Sequence, residues 1–345
     1  MDEAVVMESM LMTSRERIKR ILEGEAADRC GFWLGNPHPD MWPILHEYFG
    51  TVGEEELRVH LRDDFRWMPP VDPYQHPDGH AMFDMKRRGV SLSAEGAFAD
   101  CEKPQEIDEY EWPDPACLDF SATIRRLDEA GDVYRAASFW SPFFHMVADY
   151  FGMENYFVKM YTHPEVVHAV TARVVDFFVE ANRRMFEAVG ERSDAMFFGN
   201  DFGTQLDLLI SPDLFRKFVF PYFKKLTDVG HAYGKQVILH SCGSIYKVMP
   251  DLLALGVDGL HPLQAKAADM DAERLAAEFK GKVAFLGAVD TQDLLINATP
   301  NEVTAEVRRL KSLLGPAFVV SPSHEALLPG MKPENIEAMA RAAVE

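Results

Sequence analysis

The chain has few cysteines and none arranged as a framework. Cys30, Cys101, Cys117 and Cys242 are scattered, with no CxxC pair and no small-domain spacing. That excludes a disulfide-stapled module and predicts a reducing, cytoplasmic setting. Basic residues are also scarce. Against 55 Asp and Glu stand only 35 Lys and Arg, giving a net charge of -20. A nucleic-acid partner needs a basic face, and an anionic membrane repels an acidic one, so neither partner is expected. No apolar run approaches the ~18 residues of a membrane span. Met1-Asp2-Glu3-Ala4 does not begin a basic region followed by an apolar core, so no signal peptide is expected. No GxGxxG follows the first strand candidate, which disfavours a dinucleotide fold. Tandem repeats and low-complexity linkers are missing too. What remains is a 345-residue chain, 47% hydrophobic, able to bury a full core.

The stretch Lys235 to Gly243 organises the rest. Val237-Ile238-Leu239 is a short run rich in branched side chains, as suits a strand buried on both faces. It ends in His240-Ser241-Cys242-Gly243. Residues i and i+2 of a strand point the same way, so an imidazole and a thiol can face one ion. The same pair also reads as a satisfied histidine beside a small buried cysteine.

Seven further strand candidates flank this one: Gly31–Gly35, Asp64–Met68, Tyr134–Trp140, Ala195–Phe198, Val257–Leu260, Val283–Leu286 and Phe318–Val320. Helical patterns separate most of them, with long helices expected across about 153–190 and one helix over Ser211–Tyr233. Eight alternating units imply parallel crossovers and a single (β/α)8 barrel of the α/β class, spanning 1–345 as one domain. Residues 1–12 read as a frayed or partner-docked lead. Thr13-Ser14-Arg15-Glu16 opens an N-terminal helical extension. The proline-rich stretch from about 69 to 133 reads as an insertion after the second strand, with a hairpin near 78–98 and a helix from Phe120.

Chemistry in such a barrel sits at the C-terminal strand ends. Those ends offer Asn36 and His38; Asp64 or Arg66; Trp140 and His145; Asn200 and Asp201; His240 and Cys242; His261 and Gln264; Asp290; and His324 and Glu325. Asp201 and Asp290 also suit Asx-turns or helix caps, His261 a satisfied core position, and the tryptophans a plain core.

In order along the chain, Arg17 to Asp28, Ile210-Ser211-Pro212 to Pro221, His240 to Gln264 with Gly287 to Asp290, and Ser321-Pro322-Ser323-His324 to Ile336 carry a family pattern. The chain resembles the uroporphyrinogen decarboxylase superfamily, which also holds corrinoid-linked, zinc-dependent methyltransferases. The resemblance implies a (β/α)8 barrel. It also matches Asp64 to the decarboxylases' catalytic aspartate and His324 to their late histidine. Their paired arginines are missing from Trp33 to Trp42. In the methyltransferase branch, a His-x-Cys pair and a later Cys bind zinc; here the ligand positions fall on His240, Cys242 and His324. The resemblance therefore implies Zn2+, a corrinoid on a separate partner protein, and a small-molecule methyl donor or acceptor. Asp64, Asp201 or Glu325 would act as proton donor or site orienter, and Asn36, His38, Trp140, His145, Asn200, Gln264 and Asp290 would contact substrate. Two other readings stand beside it: a metal-free decarboxylase, and a non-catalytic holder of a corrinoid or tetrapyrrole.

Overall fold

In the computed structural model, which describes residues 12–324 and 326–345, parallel strands carry the architecture. They are β1 (Gly31–Phe32), β2 (Phe65–Trp67), β3 (Tyr134–Ala136), β4 (Ala195–Gly199), β5 (Gln236–His240), β6 (Gly259–His261), β7 (Ala284–Val289) and β8 (Phe318–Pro322). From β2 to β8 each pairs with its sequence neighbour, and β1 pairs with β8, so the sheet meets end to end between β1 and β2. Helices surround the sheet, so the fold is a single (β/α)8 barrel.

Strand alternation divides the core into two layers. Trp33, Phe65, Tyr134, Phe197, Ile238, Leu286 and Val319 pack together in the barrel interior. Their sequence neighbours, such as Phe32, Phe198, Leu239 and Val320, pack outward with the helices. Ile18, Ile21 and Leu22 of the N-terminal helix Ser14–Leu22 join the interior cluster and plug the bottom of the barrel. Thr13 caps that helix by accepting the Glu16 N–H.

The seam between β1 and β2 is closed by aspartate. The Asp64 N–H donates to the Phe32 carbonyl at 2.9 Å, and the Phe32 N–H donates to Asp64 Oδ2 at 3.0 Å. Asp64 precedes β2 and is fully buried. Its carboxylate accepts from Arg17 Nη1 (2.8 Å), Arg29 Nη1 and Nη2 (2.7 and 2.8 Å) and Ser14 Oγ (2.7 Å). This corrects the expectation that Asp64 ends a strand at the catalytic face. It starts the strand at the opposite end, and its carboxylate is occupied in fastening the plug to the barrel.

Two helices cover 153–189, as expected, with Pro164 opening the second; the single helix expected over Ser211–Tyr233 breaks at Val219, two residues before Pro221. Proline lacks an N–H and clashes with the preceding turn. The insertion after β2 contains no strand hairpin. Residues 85–97 form a loop tied by Ala97 N–H to the Met85 carbonyl and Arg88 N–H to the Glu95 carbonyl. The helix expected near Phe120 runs from Ser121 to Glu129. The lead at residues 1–11 and Glu325 lie outside the described residues.

Candidate metal centre at the barrel mouth

Register aligns the site. Gly199 of β4 lies opposite His240 of β5, which lies opposite His261 of β6. Following the inward-facing Phe197 and Ile238 by two residues, Gly199 and His240 face the barrel axis. Gly199 leaves room for a ring: a Cβ there would sit 1.9 Å from Trp140 Cζ2. Trp140 therefore lies over this gap and meets His240, ring centroids 5.1 Å apart.

The turn after β5 needs glycine at 243. Its φ is +82°, and a Cβ would fall 2.5 Å from the Gly203 carbonyl group. This close approach brings the loops after β4 and β5 together. Asp201 Oδ1 accepts the Cys242 N–H at 2.8 Å and lies 3.4 Å from His240 Nε2. His240 Nε2 is 3.3 Å from Cys242 Sγ. One ligand atom each from Asp201, His240 and Cys242 therefore falls within 4.8 Å of the others.

Around this group, side chains hold the backbone in place. His145 Nε2 accepts the Asp201 N–H at 3.1 Å. Burial pushes the His145 pKa down, with Asp201 and Asp149 opposing. Gln264 Oε1 accepts the Gly243 N–H at 2.7 Å, and Ser241 Oγ accepts the Phe202 N–H at 3.1 Å. Asn200 is fully used: Oδ1 accepts the Phe144 N–H, and Nδ2 donates to the Ser141 carbonyl. Burial alone would raise the Asp201 pKa; the His240 hydrogen bond and charge and the Cys242 N–H instead bring it down to about 2.

The imidazoles form a chain. His240 Nδ1 and His261 Nδ1 are 3.0 Å apart, so one must donate. Burial, then His240 and His324, push the His261 pKa well below its usual value, and the ring is neutral. If His240 donates from Nδ1, its Nε2 lone pair faces Cys242 and Asp201, and His261 carries its proton on Nε2. That Nε2 is buried without a partner among the described residues.

Beside His240 opens a chamber of about 280 Å³ lined by Trp33, Asn36, Trp67, Trp140, Phe197, His240 and Ala326. Sequence reasoning thus brought Asn36, Trp140, His145, Asn200, Asp201, His240, Cys242 and Gln264 to one end of the barrel. Several of these side chains already have backbone partners. Asn200, Gln264 and His145 hold loops through backbone N–H groups. Asp290 accepts the Gln292 and Leu294 N–H groups, as a cap would. His38 is half exposed and accepts the Asp40 N–H. His324 accepts the Ala326 N–H and stands outside the Asp201–His240–Cys242 group; the third member is Asp201. Phe197, Ala326 and Ser241 were missed. The inward alternation through β4 could have identified Phe197, but no sequence signal marks Ala326 or Ser241.

A methyltransferase from Methanosarcina mazei has a similar structure, with TM-score 0.70 and 16% sequence identity over 96% of this chain and 98% of that one. No relative was found among proteins with curated descriptions. The profile of the family described as Uroporphyrinogen decarboxylase (URO-D) matches residues 96–345, most of the barrel together with the mouth strands from β3 onward. The chain belongs to the uroporphyrinogen decarboxylase family.

Proposed function

We propose that the protein is a zinc-dependent methyltransferase, moving a methyl group between a small substrate and a thiol or a corrinoid on a separate partner protein. The observation carrying this reading is the Asp201–His240–Cys242 group beside an aromatic chamber. Its donor set fits zinc. Ligands about 2.0–2.3 Å from a tetrahedral ion stand about 3.3–3.8 Å apart, and the two measured edges are 3.3 and 3.4 Å. Three protein ligands also leave the open position of a catalytic site.

Zinc bound there would supply Lewis acidity at that open position. The chain's own residues prepare for it. Cys242 must shed its proton to coordinate, and the Asp201 carboxylate fixes the Cys242 backbone through the N–H bond. With Nε2 of His240 on the metal, its Nδ1–H would donate to His261 Nδ1, 3.0 Å away, and orient the ring as an outer partner of a metal ligand does. Trp33, Trp67, Trp140 and Phe197 give the substrate side an aromatic wall. The four cysteines are free, which agrees with a reducing cytoplasm. No helix of the described residues is long and apolar enough to cross a membrane.

Porphyrinogen decarboxylation has less support. The chamber is small for a four-ring substrate, and no lysine or arginine among the described residues lines it. The test is formation of a methyl thioether from methylcobalamin and a small thiol by zinc-loaded protein. Asp201→Asn keeps an acceptor for the Cys242 N–H but removes a charged ligand, so its zinc affinity and its rate should both fall by more than the about 10–100-fold typical of an outer-shell change. Transfer at an undiminished rate by metal-free protein, or uroporphyrinogen turnover at ~1 per second or faster, would reject the proposal.

A further inference from the structure

The insertion after β2 gathers a second set of metal-ligating side chains. His76, His80 and Glu111 offer one ligand atom each, all within 4.8 Å of one another. The chain has 12 histidines and 55 Asp and Glu, yet among the described residues only this group and Asp201–His240–Cys242 converge so closely. The frame around it is built without an ion. Tyr74 bridges to Leu118, the Gln75 N–H donates to the Cys117 carbonyl at 2.8 Å, and the Asp119 N–H donates to the Pro73 carbonyl at 2.8 Å. These bonds hold the stretch leading into His76 against the stretch that follows Glu111. Gly79, at φ +75°, closes a turn by donating its N–H to the His76 carbonyl at 2.9 Å. The turn stacks the His80 ring on the His76 ring, centroids 4.6 Å apart, and leaves His80 Nδ1 2.8 Å from Glu111 Oε1.

Charge and ligand type select the guest. The three side chains form part of the wall of a pocket of about 280 Å³, and none of its residues lines the chamber beside His240. Asp84, Glu111 and Asp114 outnumber Lys86 on that wall, so it attracts a cation. Two imidazoles and a carboxylate suit a divalent first-row transition ion such as zinc, whereas calcium and magnesium take oxygen sets. Two adjustments admit the ion. The rings are parallel to within 4°, so their lone pairs meet on one atom only after one ring turns. For His76 that turn costs one hydrogen bond, from the Asp78 N–H at 3.2 Å. His80 and Glu111 must also separate to the about 3.3–3.8 Å between ligands of a tetrahedral ion. Their side chains are 48% and 68% exposed, so both can move.

We propose that His76, His80 and Glu111 bind one divalent transition ion, with a fourth position open to water or to a ligand in the pocket. Bound there, the ion pins the 74–80 stretch to the 110–114 stretch. The site is exposed and has no thiolate, so it holds zinc more weakly than the barrel-mouth centre and loses it during purification without added metal. The inference does not rest on the methyltransferase reading.

The experiment is calorimetric zinc titration of chelator-treated Cys242→Ser, whose mouth centre is weakened, with cobalt absorption as a second readout. Saturable uptake is expected, with no thiolate-to-cobalt charge-transfer band. In that background, His76→Ala, His80→Ala and Glu111→Gln should each weaken this uptake by more than the about 10-fold that even an outer-shell change costs. Circular dichroism should stay unchanged, since these side chains are on a surface loop. Zinc should also slow backbone hydrogen exchange across 74–80 and 110–114 in Cys242→Ser, and the protection should vanish when His80→Ala is added. In the protein with Cys242 intact, His80→Ala should remove the weaker of two zinc-binding steps and keep the stronger. Uptake unaltered by His80→Ala and Glu111→Gln, or no saturable uptake by Cys242→Ser, would overturn the inference. Either result leaves the barrel-mouth centre untouched, because that centre is read from the stronger step.

Discussion

Replacing Cys242 by serine is expected to lower zinc affinity by at least about 100-fold, beyond the 10–100-fold typical of an outer-shell change. A hydroxyl stays protonated where a thiol can become a thiolate, and it is a poorer match for zinc. The substitution should spare the fold, because the Cys242 N–H bond to Asp201 belongs to the backbone. Acid should release the metal from the wild type, since protons compete at the imidazole and the thiol. Asp201 does not take part in that competition. Its pKa is depressed to about 2, so its contribution to stability is complete above the ordinary 3.8 and fades only as pH falls through about 2. Zinc titration at about pH 7.5 and about pH 5.5, on either side of the free-histidine pKa, separates the effects. Weaker binding is expected at the lower pH and in the variant at both. Equal affinity in all four conditions would remove Cys242 and His240 from the ligand set.

The second large effect concerns stability. Asp64→Ala removes the carboxylate facing Arg17 and Arg29 and opens the β1–β2 seam. Removing one partner of a buried pair typically costs about 3–5 kcal/mol, because the remaining charge is left without compensation. Arg17 retains Asp28 (2.6 Å), which moderates the loss. At about 2 °C per kcal/mol for a large domain, the unfolding midpoint should drop on the order of 5–10 °C. The folded fraction should still bind zinc with wild-type affinity, because Asp64 lies at the opposite end of the barrel from His240. Asp64→Asn should be milder, since an amide oxygen still accepts the Phe32 N–H. An Asp64→Ala protein with unchanged stability but no methyl transfer would restore the catalytic reading of this residue.

Asp64 shows where the sequence was hard to read. Asp63-Asp64-Phe65-Arg66-Trp67 looks like a strand with polar ends, and nothing local says which aspartate faces the mouth. The structure uses both below it: Asp63 accepts from Arg58 and the Leu34 N–H, and Asp64 from the plug. The barrel itself was readable because short branched runs recur between helical patterns. The end of β6 was placed at His261, though the strand itself was drawn one residue short. Apolar content suggested Val257–Leu260, yet pairing with β5 extends the strand to His261 and turns that ring inward.

The pair His240 and Cys242 followed from local spacing, although β5 ends at His240 and the turn at Gly243 places Cys242. Its third member depends on two loops meeting at Gly203 and Gly243, a contact between residues 40 apart in the chain and invisible to spacing. Asn200, His145 and Gln264 show a related ambiguity. Polar residues at strand ends look the same whether they await a substrate or satisfy a neighbouring loop's N–H groups.

X-ray absorption at the zinc edge of protein purified without chelator tests the centre most directly. Stoichiometric zinc with one sulfur neighbour at about 2.3 Å and nitrogen and oxygen neighbours at about 2.0–2.2 Å is the expected result, with the sulfur lost in Cys242→Ser and an oxygen contribution reduced in Asp201→Asn. Protein without stoichiometric metal, or zinc with no sulfur neighbour, would contradict the Asp201–His240–Cys242 centre.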